Sequence, residues 1–434
     1  MAWGLLLPQS FAGGRQPTAA IRKHPVINTA DTAWVLVSSA LVLLMTPGLA
    51  FFYGGLVRKK NVLSVLMQCV MIMCLITVQW TLLGYSLAFG SSHGGLIGGL
   101  DFLALRGVGL DPNAEYAGTI PHQAFMAFQM MFAIITPALI VGAFAERIRF
   151  GAFCVFSLLW ATLVYDPMAH WVWGAGGWLR NLGALDFAGG TVVHINAGMA
   201  ALAAALVLGR RKGYPDTSPP HNLPFAVLGA GLLWFGWFGF NSGSALAANG
   251  VAVNAFLVTH VAAAAAGLSW ALIEWLIIRR PTVLGIISGV VAGLVAITPA
   301  AGFVGIGGAL AIGAGAGGIC YLAVSLVKSR LGYDDSLDAF GVHGIGGIWG
   351  AIATGLWAST AVNPAGANGL FYGGIKLFGV QLLAVAVSAV YSFGASYLLF
   401  RLVGAIVPLR VSEHDERVGL DLTQHREAGY TLID

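Results

Sequence analysis

The sequence predicts an all-α polytopic membrane protein of about eleven transmembrane helices, arranged as two inverted five-helix repeats plus one peripheral helix. Three observations carry that reading. The chain is 58% hydrophobic and only 9% charged over 434 residues, whereas soluble domains carry about 25% charged residues. Apolar runs of about 20 residues, each long enough to cross a bilayer as a helix, recur along it. Two local texts, "GTVVHINAG" and "FGVHGIGG", place His194 and His343 in glycine-rich apolar surroundings five runs apart.

The runs fall near 32–57, 62–90, 122–145, 150–169, 190–209, 223–243, 251–278, 283–299, 302–327, 343–362 and 376–407. They form one membrane domain over 31–407, between an N-terminal leader (1–30) and a C-terminal tail (408–434). Alternate loops carry Arg58-Lys59-Lys60, Arg147 with Arg149, Arg210-Arg211-Lys212, Arg279-Arg280, and Lys328 with Arg330. By the positive-inside rule these loops face the cytoplasm of a cell membrane, with the N-terminus outside and the tail inside. Arg15, Arg22 and Lys23 in the leader run against this, but five concordant loops outweigh them. Sixty glycines, many inside apolar runs, predict helices packed backbone to backbone. Cys69, Cys74, Cys154 and Cys320 have no metal spacing and read as buried thiols rather than a disulfide set.

An odd number of spans between the two histidines forces the second copy to insert upside down. Each copy also has an acid upstream, Asp186 and Asp338. That is the pattern of an inverted repeat with its site near the midplane. An ionisable residue inside a span marks function by default, although a lone histidine can simply bond a backbone carbonyl. A symmetric pair favours function: neutral imidazoles donate from one nitrogen and accept at the other, which suits a small polar solute or a proton relay. Two imidazoles lack the further ligands that zinc requires, and neither lies in an H-E-x-x-H motif. No cofactor is expected. Ser242 and Ser244 in "GFNSGSA" lack the G-x-S-x-G elbow, so hydrolysis has no support. Trp173, Phe128, Phe132, Trp237 and Phe240 are ordinary core or interface aromatics taken singly. Together they offer π-faces to a small cation.

Six stretches carry a family resemblance: "TPGLAFFYGGLVRKKNVLS" (46–64), "AFAERIRF" (143–150), "ALDFAGGTVVHINAG" (184–198), "PHNLP" (220–224), "GWFGFNSGS" (236–244) and "FGVHGIGG" (340–347). In order and spacing they resemble the ammonium transporters of the Amt/Mep/Rh family, and the Amt/Mep branch more than the Rh branch. The resemblance implies a homotrimer in lipid with one hydrophobic pore per protomer, moving ammonium or ammonia and accepting methylammonium. It implies an outer ammonium site of Phe128, Trp173 and Ser244, a gate of Phe132 and Phe240, and twin pore histidines at His194 and His343. Asp186, Trp237 and Asp338 are implied as supporting residues. It further implies a PII-type signalling protein as a cytoplasmic partner, no nucleic acid and no enzyme activity. An ammonium sensor of the same fold is the alternative. Two positions depart from the family pattern: Ala175 beside Trp173, and Arg426 where the tail usually has glycine.

Overall fold

A backbone in hydrocarbon has no water to bond, so an apolar run must satisfy its own N–H and C=O groups, and a helix does so within one segment. The computed structural model describes residues 27–215 and 219–430. Most of the predicted leader, with Arg15, Arg22 and Lys23, lies outside the described residues. Among the described residues, nine helices are long and apolar enough to span a bilayer: α1 (Thr29–Leu56), α2 (Lys59–Phe89), α3 (His122–Phe144), α4 (Phe150–Val172), α5 (Gly190–Leu208), α6 (Leu223–Gly243), α7 (Gly250–Ile278), α9 (Ile306–Leu331) and α11 (Ile375–Ile406). Two others, α8 (Val283–Ile297) and α10 (340–357), complete eleven among the described residues. Two short antiparallel hairpins, Ser92–His93 with Ile97–Gly98 and Pro112–Asn113 with Ala117–Pro121, decorate the loop between α2 and α3.

The caps say where the helices begin. Asn28 accepts from the backbone of Ala30 and Asp31 at the start of α1, Asn222 from Phe225 at α6, and Asn249 from Val251 and Ala252 at α7. These side chains satisfy orphan N–H groups of the first turn. The boundaries that move most are those of the ninth and tenth helices. The ninth helix starts at Ile306 rather than 302, because the apolar stretch 298–305 is turn rather than helix. The tenth occupies 340–357 rather than 343–362. The cysteines are all free, but only Cys69 and Cys320 are buried; Cys74 is exposed and Cys154 half-buried.

Glycine sets the closest helix crossings. A Cβ on Gly198 of α5 would fall 2.1 Å from the backbone nitrogen of Gly344 in α10. One on Gly229 of α6 would fall 2.2 Å from the backbone of Phe52 in α1. These are the backbone approaches that small residues permit in membranes. The histidine-bearing helices α5 and α10 meet in opposite chain directions, Gly198 lying against Gly344 and Gly347 against His194 and Gly190.

The basic loops converge on one face, where Glu146 sits at φ +73° and accepts from Arg58, Asn61 and Arg211 at 3.0 Å each. Arg211 also grips Asp334 through two bonds of 2.9 and 2.8 Å. The tail closes over this knot as two short helices, α12 (Glu413–Val418) and α13 (Leu420–His425). Asp421 accepts from the backbone of Leu63 and Ser64 at the start of α2, and Leu420 donates to Asn61 at 2.8 Å. Arg426 ends α13 at φ +58°, a conformation that costs a non-glycine residue about 1–2 kcal/mol. The tail therefore forms its turn with arginine, at a cost that glycine avoids.

Burial pushes the Glu146 carboxyl up, but the Arg211 charge and the Arg58 hydrogen bonds more than offset it and hold the group at about 2. A carboxylate depressed from 4.5 to about 2 contributes roughly 3 kcal/mol, present above pH 4.5 and lost as pH falls toward 2. Thermal unfolding in detergent should show Glu146→Gln well below the parent at pH 7, with the gap narrowing steadily below pH 4.5. A gap independent of pH would remove the ionised Glu146 from the account.

Candidate functional site

The first turns of α5 and α10 are built alike. Each opens as a π-helical turn, Gly190–Ile195 and Phe340–Gly344, and each turn contains the histidine. Such widened turns are uncommon and concentrate at functional sites. An aspartate caps each one from eight residues before the histidine. Asp186 accepts from the backbone of Gly189, Gly190, Thr191 and Val192 and from the Thr191 hydroxyl. Asp335 accepts from the backbone of Phe340 at 2.7 Å.

The counterpart of Asp186 is therefore Asp335, not Asp338 as the upstream-acid reading expects. Asp338 sits at φ +62°, half-buried, and pairs with Lys328 at 2.6 Å. This correction also moves the start of α10: the cap at Asp335 places His343 inside the first turn, not at its edge. Burial, reinforced by Asp338 and opposed by Lys328, holds the Asp335 carboxyl above the usual aspartate range.

His194 and His343 are buried and stack with ring centroids 5.4 Å apart and planes 12° from parallel. Trp237 lies parallel to His194 at 5.4 Å, and its indole N–H donates to Thr298 at 2.9 Å. Both nitrogens of His194 and Nδ1 of His343 are buried without a hydrogen-bond partner in the protein. A buried polar atom left unpaired costs about 1–3 kcal/mol, so these three are costly features. A cavity of about 10 Å³ adjoins both rings, walled by Leu49, Ile135, Leu139 and Val291 among others. That is room for about one water-sized molecule.

Above the histidines the passage is shut by aromatic rings. Phe132 and Phe240 lie 4.4 Å apart, and Phe240 is 5.9 Å from His194. Phe128 sits 4.9 Å from Phe132 on the same helix face, and Trp173 sits 5.8 Å from Phe132. Trp173 caps the end of α4, its indole N–H donating to the carbonyl of Asp186 at 2.9 Å. Asp186 thus orders the start of α5 with its carboxylate and Trp173 with its backbone. Ser244 ends α6 and donates its hydroxyl to the Phe240 carbonyl at 2.8 Å, which leaves its oxygen lone pairs to accept. Ser242 is instead buried and committed to the Ala252 carbonyl.

Below the histidines a cavity of about 560 Å³ opens among the basic loops. Its lining includes His343, Asp338, Lys328, Glu146 and Arg211. The fold thus brings the two histidines, Trp237 and the aromatics Phe128, Phe132, Trp173 and Phe240 into one file, with Ser244 beside it and Asp338 lining the cavity among the basic loops. Sequence reading missed Asp335 and Thr298. An acid eight residues before each histidine was the available signal for Asp335. Nothing local marks Thr298, which meets Trp237 only in space.

A family model described as the Ammonium Transporter Family matches residues 33–430. An ammonium transporter of Bacillus subtilis is 54% identical over 92% of this chain and 98% of its own length. Ammonium transporter Amt1 of Archaeoglobus fulgidus is 50% identical over 92% of this chain and 99% of its own. Among solved structures, Saccharomyces cerevisiae Mep2 matches with a TM-score of 0.83 at 40% identity, over 89% of this chain and 88% of its own. A structure titled as a sensor Amt protein matches at 0.84 and 32% identity, over 91% and 98%.

Asp186→Asn should test the capping geometry. The amide turns an N–H toward backbone N–H groups and loses the charge, so about 2–4 kcal/mol of stability should go. The check is a lowered thermal unfolding midpoint of the detergent-solubilised protein. An unchanged midpoint would show that the carboxylate bonds contribute nothing net.

Proposed function

We propose how this chain, which belongs to the ammonium transporter family and moves ammonium across a membrane, uses the file of residues just described. Phe128 and Trp173 receive the cation through their ring faces, an attraction worth about 0.5–2 kcal/mol and more when dry. The Ser244 oxygen accepts one of its hydrogens. Phe132 and Phe240 close the way below, and His194 and His343 receive ammonia beyond them. Trp237 holds the His194 ring in plane, and Asp186 orients Trp173. Asp338, paired with Lys328, stands at the exit cavity.

The single observation behind this reading is the pair of stacked, buried histidines with three unpartnered ring nitrogens, between a double aromatic gate and a wide basic-side cavity. A bare monovalent cation at mid-bilayer costs several kcal/mol. An amine whose pKa lies about two units above ambient pH gives up its proton for about 3 kcal/mol. Stripping ammonium to ammonia is therefore the cheaper crossing. Alkali cations, having no proton to yield, are excluded. The imidazole pair supplies both a donor and an acceptor to ammonia and a route for the proton.

The basic face, with the tail docked on it, is assigned to the cytoplasm, and the Phe128–Trp173 end to the outside of the cell membrane. The division into leader 1–30, membrane domain 31–407 and tail 408–434 belongs to this proposal. So do assembly as a homotrimer in lipid, acceptance of methylammonium and a PII-type partner at the tail face. A catalytic role has no part in it. A sensor reading remains as the second one, because a structure titled as a sensor shares the fold.

The deciding experiment pulses ammonium onto liposomes holding the purified protein and records current and internal pH. Wild-type current that disappears when both histidines become alanine supports the relay; a persistent wild-type current in that variant removes it. Partner binding that responds to ammonium without flux would favour the sensor. Trp173→Leu should lose about 2- to 30-fold in preference for ammonium over potassium, the equivalent of one cation–π contact. Unchanged selectivity would count against the outer site.

A further inference from the structure

The helix that carries Trp173 also carries an acid that the file of pore residues does not use. Asp166 of α4 is fully buried, about a turn and a half before the end of its span. Among the described residues, no lysine, arginine or histidine pairs with it. Its Oδ2 accepts from Gln79 Nε2 of α2 at 2.8 Å, and the same nitrogen donates to Thr162 at 3.1 Å. Two acceptor atoms of this pair, Asp166 Oδ1 and Gln79 Oε1, are buried with no partner.

The count of hydrogens settles what is missing. An ionised Asp166 leaves its own Oδ1 and Gln79 Oε1 orphaned and an unpaired charge in hydrocarbon, costs that rarely persist together. One hydrogen on Asp166 removes the charge and gives Gln79 Oε1 a donor. The acid and the amide then satisfy each other, each donating once and accepting once.

The pair sits where both helices are weakest in their own hydrogen bonding. α4 is widened by a π-turn at Ala161–Tyr165 and loses a donor at Pro167, directly on either side of Asp166. α2 enters its own π-turn, Trp80–Gly84, directly after Gln79. Past such turns the helix ladder no longer dictates the register of the segment that follows, and on α4 that segment ends at Trp173. We propose that Asp166 is a protonated carboxylic acid whose reciprocal pair with the Gln79 amide clamps α4 to α2 and so acts as the positioning residue for Trp173. This rests on Trp173 belonging to the outer ammonium site.

The test combines infrared spectroscopy with methylammonium uptake in liposomes. Asp166→Asn, a neutral isostere, should abolish one protonated-carboxyl C=O band of the purified protein while leaving uptake within about twofold. Asp166→Leu, which removes the pair, should raise the half-saturating methylammonium concentration by about tenfold with a much smaller change in maximal rate. If the leucine variant does not fold, the exchanged pair Gln79→Glu with Asp166→Asn replaces it, and should regain the band while keeping near-parental uptake. The proposal is overturned if Asp166→Asn removes no band. It is equally overturned if that variant weakens uptake as much as leucine does, or if the exchanged pair does not regain the band. Trp173→Leu in the same assay separates the two readings. If it leaves half-saturation unchanged, the outer site is wrong, while the infrared band still reports on Asp166.

Discussion

Inside a bilayer a polar group has to find its partner within the protein, and the rest of this structure depends on that constraint. It turns each apolar run into a helix and sends intramembrane hydroxyls back to their own ladders, as Ser39 does to Val35 and Thr136 to Phe132. It also gives the exceptions their meaning. The three ring nitrogens of His194 and His343 that lack a protein partner lie where a small solute able to donate and accept would complete them.

The same constraint explains why the pore helices begin as they do. Both histidines sit in opened backbone, since α5 and α10 each begin as a π-turn. An opened turn needs its free N–H groups taken up, and Asp186 and Asp335 do this from eight residues upstream. The two caps are not equals. Asp186 uses both oxygens, whereas Asp335 Oδ1 is buried without a partner, near the Lys328–Asp338 pair. Pseudo-symmetry of the fold thus coexists with different chemistry at the two ends, one closed by aromatic rings and the other open to a charged cavity.

At the basic face charge does what packing does elsewhere. Glu146 draws Arg58 and Arg211 together, Arg211 draws in Asp334, and Asp334 adjoins the cap of α10. The tail joins the same set through Asn61, which bonds both Glu146 and the backbone of Leu420. Loops distant in the chain are thereby held as one surface, an arrangement that buried, multiply bonded ion pairs support and isolated surface pairs do not.

How much of this was legible follows from the range of each interaction. Hydrophobic run length is local, so membrane class, helix number and most boundaries could be read from the sequence. So could the five-run spacing of His194 and His343, because an odd count of crossings inverts a repeat whatever the packing. Family resemblance added which aromatics and which serine to place beside them. The misreadings occur where local text is ambiguous. "TPAAGFVG" is apolar but turns, and "DDSLD" offers three acids, of which only the three-dimensional path selects Asp335 to cap α10 and leaves Asp338 to Lys328. The bond from Trp237 to Thr298, the pairing of Asp166 with Gln79 and the docking of Asp421 on α2 join residues far apart in the chain. Partners of that kind are chosen by how helices cross, and crossings are set at glycines such as Gly198 and Gly344, whose contact no sequence window contains. The sequence by itself determined a bundle of membrane helices with two inverted histidines. Tertiary structure alone decided which polar atoms were satisfied and which were left unpaired, because satisfaction depends on distances of about 3 Å between separate helices.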